Sequence, residues 1–189
     1  MGSTVSFASL PSVRQRAHTH NVPILSPETR VFLEQHLRSY RPQRCLEIGT
    51  AIGVSTRCIA QTIAEWQGYI TSFEVSYPSY MTACLHLSHA QVYNATLYHA
   101  DVLGAPLHRL LPASVDFLFI DGMKAHYSRY INTLSHILVS WGSVIFDDVG
   151  QYQSKINTQD LQRELTRLDF LYELHPLHDN DAVLVAYKQ

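Results

Sequence analysis

The sequence predicts an α/β fold in which a mostly parallel sheet is covered by helices on both faces. Short apolar segments alternate with longer segments of helical pattern from about residue 44 to the end of the chain. The apolar segments are nearly continuous hydrophobic runs, as in Asp116-Phe-Leu-Phe-Ile120, which is typical of strands buried on both faces. Such sheets bind ligands at the carboxyl ends of their strands, so we expect the site there.

The elements follow one another without a repeat, a low-complexity tract or a linker, which predicts a single domain over residues 1–189. Ser26 as N-cap and Pro27 at the first helical position predict a helix over Pro27–Tyr40. The other predicted helices are Pro11–His20, Val54–Trp66, Tyr80–Ala90, a weak one near Leu107–Leu111, Ala125–Val139 and Thr158–Leu168. The predicted strands are Arg44–Ile48, Tyr69–Glu74, Thr96–His99, Val115–Ile120, Ser143–Phe146, Leu171–His175 and Ala182–Tyr187. We expect residues 1–40 to form a helical segment for substrate or subunit contacts.

Charge and cysteine content exclude several classes of protein. The formal net charge of −2 gives no overall attraction to nucleic acid or to an anionic membrane, although a local basic patch would suffice for RNA. No apolar run is long enough to cross a bilayer, and the N-terminus lacks the apolar region of a signal peptide. The three cysteines show no CxxC spacing, which argues against a disulfide framework or a structural zinc site. We therefore expect a cytoplasmic protein with no membrane partner.

A glycine-containing loop, Leu46-Glu-Ile-Gly-Thr-Ala-Ile-Gly53, follows the first predicted strand and opens a helix. Gly49 and Gly53 permit a tight turn and a close approach of the backbone to a ligand. Their G-x-x-x-G spacing differs from the dinucleotide fingerprint G-x-G-x-x-G, and no Gly-Lys-Ser/Thr of a P-loop follows. This argues against a nicotinamide oxidoreductase. A pair of glycines alone fits a plain strand–helix turn about equally well.

Acidic residues follow four consecutive strands at their carboxyl ends. Glu74 ends the second strand, Asp101 follows the third, Asp121 follows the fourth, and Asp147 and Asp148 follow the fifth. Each alone is more simply explained as a helix cap or a solvated turn. Together, on one rim of one sheet, they indicate a site. Glu74 stands about 20 residues beyond the glycine loop, where an acidic residue can bind a ribose diol.

With these motifs in this order, the chain resembles the metal-dependent O-methyltransferase family that includes catechol and caffeoyl-CoA O-methyltransferases. It is most similar to small bacterial members, some of which methylate 5-hydroxyuridine in tRNA. The similarity extends from Val22 to Lys188 and is most specific over Leu46–Ser55, Phe119–Tyr127 and Gly142–Val149. The resemblance implies a Rossmann-like class I methyltransferase with a seven-stranded, mostly parallel sheet, a reversed last strand and S-adenosylmethionine as cofactor.

The resemblance also implies roles for individual residues. Glu47, Gly49 and Ser55 would lie around the methionine part of S-adenosylmethionine, Glu74 would bind the ribose hydroxyls and Asp101 would border the adenine. Gly53 and Asp121 complete the expected cofactor-binding set.

The same family pattern implies a metal site and a base. Asp121, Asp147 and Asp148 match the three metal-ligand positions, and Lys124 matches the general base. Phenol-type hydroxyls are protonated at neutral pH, and a divalent ion lowers their pKa and orients the oxygen. Carboxylate ligands suit Mg²⁺, Mn²⁺ or Ca²⁺. A neighbouring metal and sulfonium would lower the pKa of Lys124, as a base requires.

The chain departs from the family at the third metal-ligand position, which is usually Asn and here is Asp148. Three carboxylates in place of two leave open either tighter metal binding or a rebuilt site. The segment 150–156 also lacks the family's usual continuation and is short for a substrate loop.

Several alternatives remain open at this stage. A regulatory domain that binds S-adenosylmethionine or a nucleotide without catalysis would require neither Lys124 nor the acidic triad. His86 and His89 have a metal-binding spacing, but a solvated helix face explains them better. His126 is as easily a pocket residue as a surface one, and Tyr127 and Tyr130 are better explained as core contacts.

The methyl acceptor is the least determined feature. It is either a small hydroxylated molecule, such as a catechol, or hydroxyuridine in tRNA. Five arginines could form a basic rim for tRNA, but solvated helix faces are slightly favoured; they are Arg14, Arg16, Arg38, Arg41 and Arg44. We also expect a homodimer.

Overall fold

A seven-stranded sheet in the order β3-β2-β1-β4-β5-β7-β6 forms the centre of the protein. The computed structural model describes residues 25–106, 115–150, 154–178 and 181–189, without the side chains of residues 154–157, 178 and 181. The strands are β1 Arg44–Ile48, β2 Tyr69–Glu74, β3 Ala95–His99, β4 Val115–Ile120, β5 Leu138–Phe146, β6 Phe170–His178 and β7 Asp181–Lys188. Neighbours among β1–β5 pair in parallel, whereas β7 is antiparallel to both β5 and β6. The predicted fold class and the reversed last strand are confirmed.

Helices join these strands in the described part of the chain. They are α1 Pro27–Tyr40, α2 Val54–Ile63, α3 Tyr77–His89, α4 Tyr127–Leu134 and α5 Ser154–Arg167. Helix α1 has the predicted bounds, and Ser26 Oγ accepts a hydrogen bond of 3.0 Å from the Thr29 amide, as an N-cap should. The predicted helices Pro11–His20 and Leu107–Leu111 lie outside the described residues. No helix in the described ranges is long and apolar enough to cross a membrane.

Alternate residues of β4 pack into two separate cores, one on each face of the sheet. Leu118 and Ile120 belong to a cluster that includes residues of α4 and α5, and Phe117 and Phe119 belong to one that includes residues of α1 and α2. All four side chains are completely buried. The central strands are hydrophobic on both sides because each side has its own layer of helices.

The predicted helix over Ala125–Val139 is wrong at both ends. A 3₁₀ turn covers Lys124–His126, α4 stops at Leu134, a second 3₁₀ turn covers Ser135–Ile137, and β5 already begins at Leu138. The position of Leu138 fits the apolar face of a helix as well as it fits a buried strand. Only the pairing of Leu138 with Val115 of β4 shows that it belongs to the strand.

The remaining errors are at element ends. Helix α3 begins at Tyr77 rather than Tyr80 because Ser76 caps it and Pro78 occupies its first turn. Helix α5 begins four residues before the predicted Thr158. Strands β6 and β7 are longer than predicted because they extend each other as an antiparallel pair.

Candidate active site

The glycine loop joins β1 to α2 and lies against the end of β4. Gly49, Ala51 and Gly53 have positive φ angles of 98°, 46° and 82°, which is the backbone region that glycine tolerates best. The amides of Gly49 and Thr50 donate to the Phe73 carbonyl at the end of β2, over 3.0 and 3.3 Å. A side chain at position 49 would overlap the Asp121 carbonyl. Gly49 therefore lets two predicted site segments touch.

Glu74, the predicted ribose ligand, is buried at the end of β2 and holds the loop. Its Oε2 accepts a hydrogen bond of 2.8 Å from the Ala51 amide, and its Oε1 accepts one of 2.7 Å from the Ser76 amide. A carboxylate has about four acceptor positions, so both oxygens can accept further donors such as ribose hydroxyls.

Glu47 is completely buried on β1 and accepts hydrogen bonds from the strand beside it and from α2. Thr56 Oγ1 and Ser72 Oγ donate to its Oε2, each over 2.5 Å. Burial raises the pKa of the Glu47 carboxyl, and hydrogen bonds from Ser55, Ser72 and Thr56 oppose that only in part. Its Oε1 is buried without a hydrogen-bond partner among the described residues. An ammonium or hydroxyl group of a cofactor would complete it.

Three further predicted cofactor residues, Gly53, Ser55 and Asp101, differ in the element that holds them and in their exposure. Gly53 caps α2, and a side chain added to it would lie 3.2 Å from Ala83 Cβ of α3. Ser55 is buried and bonds to Glu47. Asp101 is exposed after β3, and its Oδ1 accepts a hydrogen bond of 2.9 Å from the Leu103 amide.

Lys124, the predicted base, lies between two of the predicted metal ligands. Its Nζ is 3.0 Å from Asp148 Oδ2 and 3.6 Å from Asp121 Oδ1. The three side chains are about a quarter to a third exposed. Two of the three residues predicted as metal ligands therefore lie beside the predicted base, and both are paired with its ammonium.

The third carboxylate, Asp147, is buried and accepts a hydrogen bond from the residue that follows it. Its Oδ1 accepts a hydrogen bond of 2.9 Å from the Asp148 amide, and its carbonyl accepts one of 2.9 Å from Tyr127 Oη. Asp148 has a φ of 50°, a region that Asp and Asn tolerate better than most residues. Asp148 Oδ1 is buried without a hydrogen-bond partner in the described ranges. Across those ranges, no group of three His, Cys, Asp or Glu side chains is placed to hold a metal ion.

The lysine–carboxylate cluster shifts the pKa of its members. Burial raises the pKa of the Asp121 carboxyl, and the nearby Lys124 charge lowers it only in part. Burial lowers the pKa of Lys124, but the charges of Asp121 and Asp148 outweigh it and raise that pKa above its ordinary value. The lower pKa expected for Lys124 is therefore not produced by the protein's own groups. It would require a bound cation, such as the sulfonium, beside the cluster.

Tyr127 and Tyr130 belong to the buried core, as predicted, but the sequence did not indicate their contacts with the site. Tyr127 is buried, donates to Asp147 and lies with its ring 5.9 Å from Lys124 Nζ. Its position three residues after Lys124 was the available signal. Tyr130 is also buried, and a side chain added at Gly122, next to Asp121, would lie 3.2 Å from its hydroxyl. Burial raises the pKa of Tyr130, and the charges of Asp101 and Glu74 add to that effect.

The position of His86 differs from expectation, whereas the described arginines lie at exposed positions, as the slightly favoured interpretation expected. His86 is buried against the glycine loop, whereas we expected a solvated face. Arg44 begins β1, so it lies at the rim opposite the site, and Arg41 packs over Trp66 at 5.2 Å. Arg38 pairs with Glu65 at 2.7 Å. These three arginines do not form a basic rim around the site, and Arg14 and Arg16 lie outside the described residues.

The strand order with a reversed β7, together with a glycine loop and an acidic residue after β2, defines a class I methyltransferase fold. Residues 46–149, more than half of the chain, match the family described as "Methyltransferase domain". The chain belongs to that family, and the prediction of a methyltransferase is confirmed.

Solved structures agree with this fold. An O-methyltransferase from Bacillus cereus, in complex with SAH, is 18% identical with a TM-score of 0.82, covering 93% of this chain and 88% of that chain. A putative caffeoyl-CoA O-methyltransferase from Staphylococcus aureus is 21% identical with a TM-score of 0.77, covering 93% and 90%. An O-methyltransferase involved in tomaymycin synthesis in Streptomyces achromogenes, in complex with SAM, is 19% identical with a TM-score of 0.75, covering 93% and 86%.

Proposed function

We propose that this chain transfers the methyl group of S-adenosylmethionine to a hydroxyl oxygen of a small molecule. One observation carries the proposal: the Gly49 backbone meets the Asp121 carbonyl, so the cofactor loop and the lysine–carboxylate cluster are adjacent. A methyl donor on the loop would therefore stand beside groups that can act on an acceptor. A domain that only binds the cofactor would not need Lys124 paired with two carboxylates.

The cofactor part of the proposal rests on three acceptors around the loop. Glu74 has remaining acceptor capacity for the ribose hydroxyls, and the orphaned Oε1 of Glu47 suits the methionine ammonium. Asp101, at the end of β3, is exposed on the same rim and would border the adenine. Gly49, Gly53 and Ser55 would contribute close backbone approach and support for Glu47.

The acceptor part of the proposal rests on Lys124. In the transfer, the hydroxyl oxygen forms a bond to the methyl carbon, the carbon–sulfur bond breaks, and the hydroxyl proton must leave. We propose that Lys124 Nζ receives this proton, since it is the amine of the cluster and is partly exposed. The bound sulfonium would lower the pKa of Lys124 against the opposing effect of Asp121 and Asp148.

We also propose that Asp121, Asp147 and Asp148 hold a divalent cation, Mg²⁺, Mn²⁺ or Ca²⁺. The residue types fit a hard ion, and the buried, unpartnered Asp148 Oδ1 is an acceptor that a cation would satisfy. Against this stands the pairing of Lys124 with two of the three carboxylates. When bound, the ion would lower the pKa of the acceptor hydroxyl.

A small acceptor is favoured over tRNA because of where the arginines lie. Three of the arginines lie at or near the start of β1, at the rim away from the site; they are Arg38, Arg41 and Arg44. They therefore do not form a phosphate-binding surface around the site. Hydroxyuridine in tRNA remains the second acceptor class to test. The homodimer expected from the sequence stays a prediction, and light scattering on the purified chain would test it. The cytoplasmic location also stays a prediction.

The test is methyl transfer from labelled S-adenosylmethionine to a panel of catechols and to undermodified tRNA. We expect label on a catechol oxygen with the unmodified chain and a loss of at least a hundredfold with Lys124→Ala. Label on tRNA alone would show that the acceptor is tRNA and not a small molecule. Binding of the cofactor without any transfer would indicate the regulatory domain instead. Full activity in excess chelator would overturn the metal proposal while leaving the methyltransferase proposal intact.

A further inference from the structure

His86 is a histidine of helix α3 that is buried against the cofactor loop. Its Nδ1 lies 3.0 Å from the carbonyl oxygen of Ile52, and this contact is buried. Its Nε2 lies 3.4 Å from Arg57 Nη1 of helix α2. The imidazole therefore connects three segments: α3, the loop and the start of α2.

The partners of His86 fix which nitrogen carries the proton. A guanidinium can only donate, so Nε2 must accept from Arg57. Nδ1 then carries the hydrogen and donates it to the Ile52 carbonyl, which is itself only able to accept. Both contacts are satisfied together by the neutral Nδ1–H form, and neither would be satisfied by the other neutral form.

The loop segment that His86 holds is the one with unusual backbone geometry. Ala51 and Gly53 flank Ile52 with positive φ angles, and the Ala51 amide is bound on the other side by the predicted ribose ligand Glu74. Helix α3 also closes on Gly53, where a side chain would lie 3.2 Å from Ala83 Cβ and 3.6 Å from Leu87 Cγ. The loop is thus held from β2 by Glu74 and from α3 by His86.

We infer that His86 is a positioning residue for the cofactor: its Nδ1–H bond to Ile52 keeps residues 51–53 in the conformation that receives S-adenosylmethionine. This inference rests on the proposed cofactor site. The apparent affinity for the cofactor falls in proportion to the fraction of time that the loop holds this conformation. Turnover of the bound complex should change little, because His86 does not touch the reacting atoms.

Two substitutions separate the bond of His86 to Ile52 from its bond to Arg57. Asn places its amide nitrogen near the position of Nδ1, so His86→Asn keeps the donor to Ile52 and loses the acceptor for Arg57. Gln places its amide oxygen near the position of Nε2, so His86→Gln keeps the acceptor and loses the donor to the loop. Both remove one hydrogen bond from the same buried place, which makes each the stability control for the other.

The experiment is calorimetric titration of both variants and the unmodified chain with S-adenosylhomocysteine, together with their KM and kcat. We expect His86→Gln to bind about tenfold more weakly, or about 1.4 kcal/mol, with a raised KM for S-adenosylmethionine and nearly unchanged kcat. His86→Asn should bind within about twofold of the unmodified chain.

Equal affinities of the two variants, whether both normal or both weakened, would overturn the inference, since a purely structural histidine would affect them alike. Absence of binding by the unmodified chain would overturn the proposed function and this inference with it.

Discussion

Replacing Glu74 by Gln tests the cofactor site most directly, because the shape of the side chain is kept. The carboxylate accepts from two backbone amides, those of Ala51 and Ser76, over 2.8 and 2.7 Å. A glutamine has only one acceptor oxygen. One of the two amides would therefore face an NH₂ group in a buried place.

The expected magnitudes follow from these contacts. Loss of one hydrogen bond to a charged acceptor costs about 1.5–3 kcal/mol. At roughly 2–4 °C per kcal/mol for a protein of this size, the melting temperature should fall by about 3–12 °C. Binding also loses charged acceptors for the ribose, so the affinity for S-adenosylhomocysteine should fall by at least about tenfold, or about 1.4 kcal/mol.

The assay is calorimetric titration of Glu74→Gln well below its melting temperature, with circular dichroism to confirm that it is folded. Glu173→Gln is the matched control, because Glu173 lies on the edge strand β6 with a side chain that is 76% exposed. That control should bind normally. A folded Glu74→Gln protein with unchanged affinity would remove Glu74 from the cofactor site and refute the reasoning.

Three further predictions concern the loop, the base and a half-buried histidine. Gly53→Ala should lose about 1–3 kcal/mol of stability in a denaturant titration, because its φ is 82° and Ala83 is close. Gly104→Ala, where an added Cβ would make only an ordinary contact of 3.9 Å with the Asp101 carbonyl, should stay within about 0.5 kcal/mol. Lys124→Ala should lower turnover by about 10²–10⁴-fold with cofactor affinity unchanged. Lys124→Arg keeps the charge but cannot accept the proton, so its turnover should fall equally. An active Arg variant would show that Lys124 contributes only its charge. Burial, and then the nearby His175, lower the pKa of His36 from 6.5 to about 4. Below pH 6.5 the His36 imidazole is protonated in the unfolded chain but stays neutral in the folded protein. The contribution of His36 to the free energy of unfolding is therefore complete above pH 6.5 and falls by at most about 3 kcal/mol towards pH 4. Urea titrations of His36→Gln should lack this part of the pH dependence, and an identical pH profile would contradict the burial argument.

The sequence by itself determined the architecture and predicted the rim at which we propose the site. Strands β1, β2 and β4 and helix α1 have their predicted bounds, because continuous apolar runs and a Ser-Pro helix start are local signals. The glycine loop and the acidic residues after β2 to β5 were also visible, since parallel strands bring their carboxyl ends to one rim.

Only the tertiary structure decided which of these side chains meet. Lys124 and Asp148 are 24 positions apart and form an ion pair, whereas the carboxylate of the adjacent Asp147 accepts a hydrogen bond from the Asp148 amide. Consecutive residues at a strand end point in different directions, and their directions depend on backbone angles such as the φ of 50° at Asp148.

The same reason explains His86 and the start of β5. Periodicity gives the spacing of residues along a helix but not the distance to a neighbouring loop. The buried hydrogen bond from His86 to Ile52 could therefore not be predicted from the sequence. Leu138 fitted both a helix and a strand until its pairing with Val115 was known. Local patterns arise from contacts between near neighbours in the chain, whereas these contacts join residues separated by more than 20 positions and exist only once the sheet and its helices have assembled.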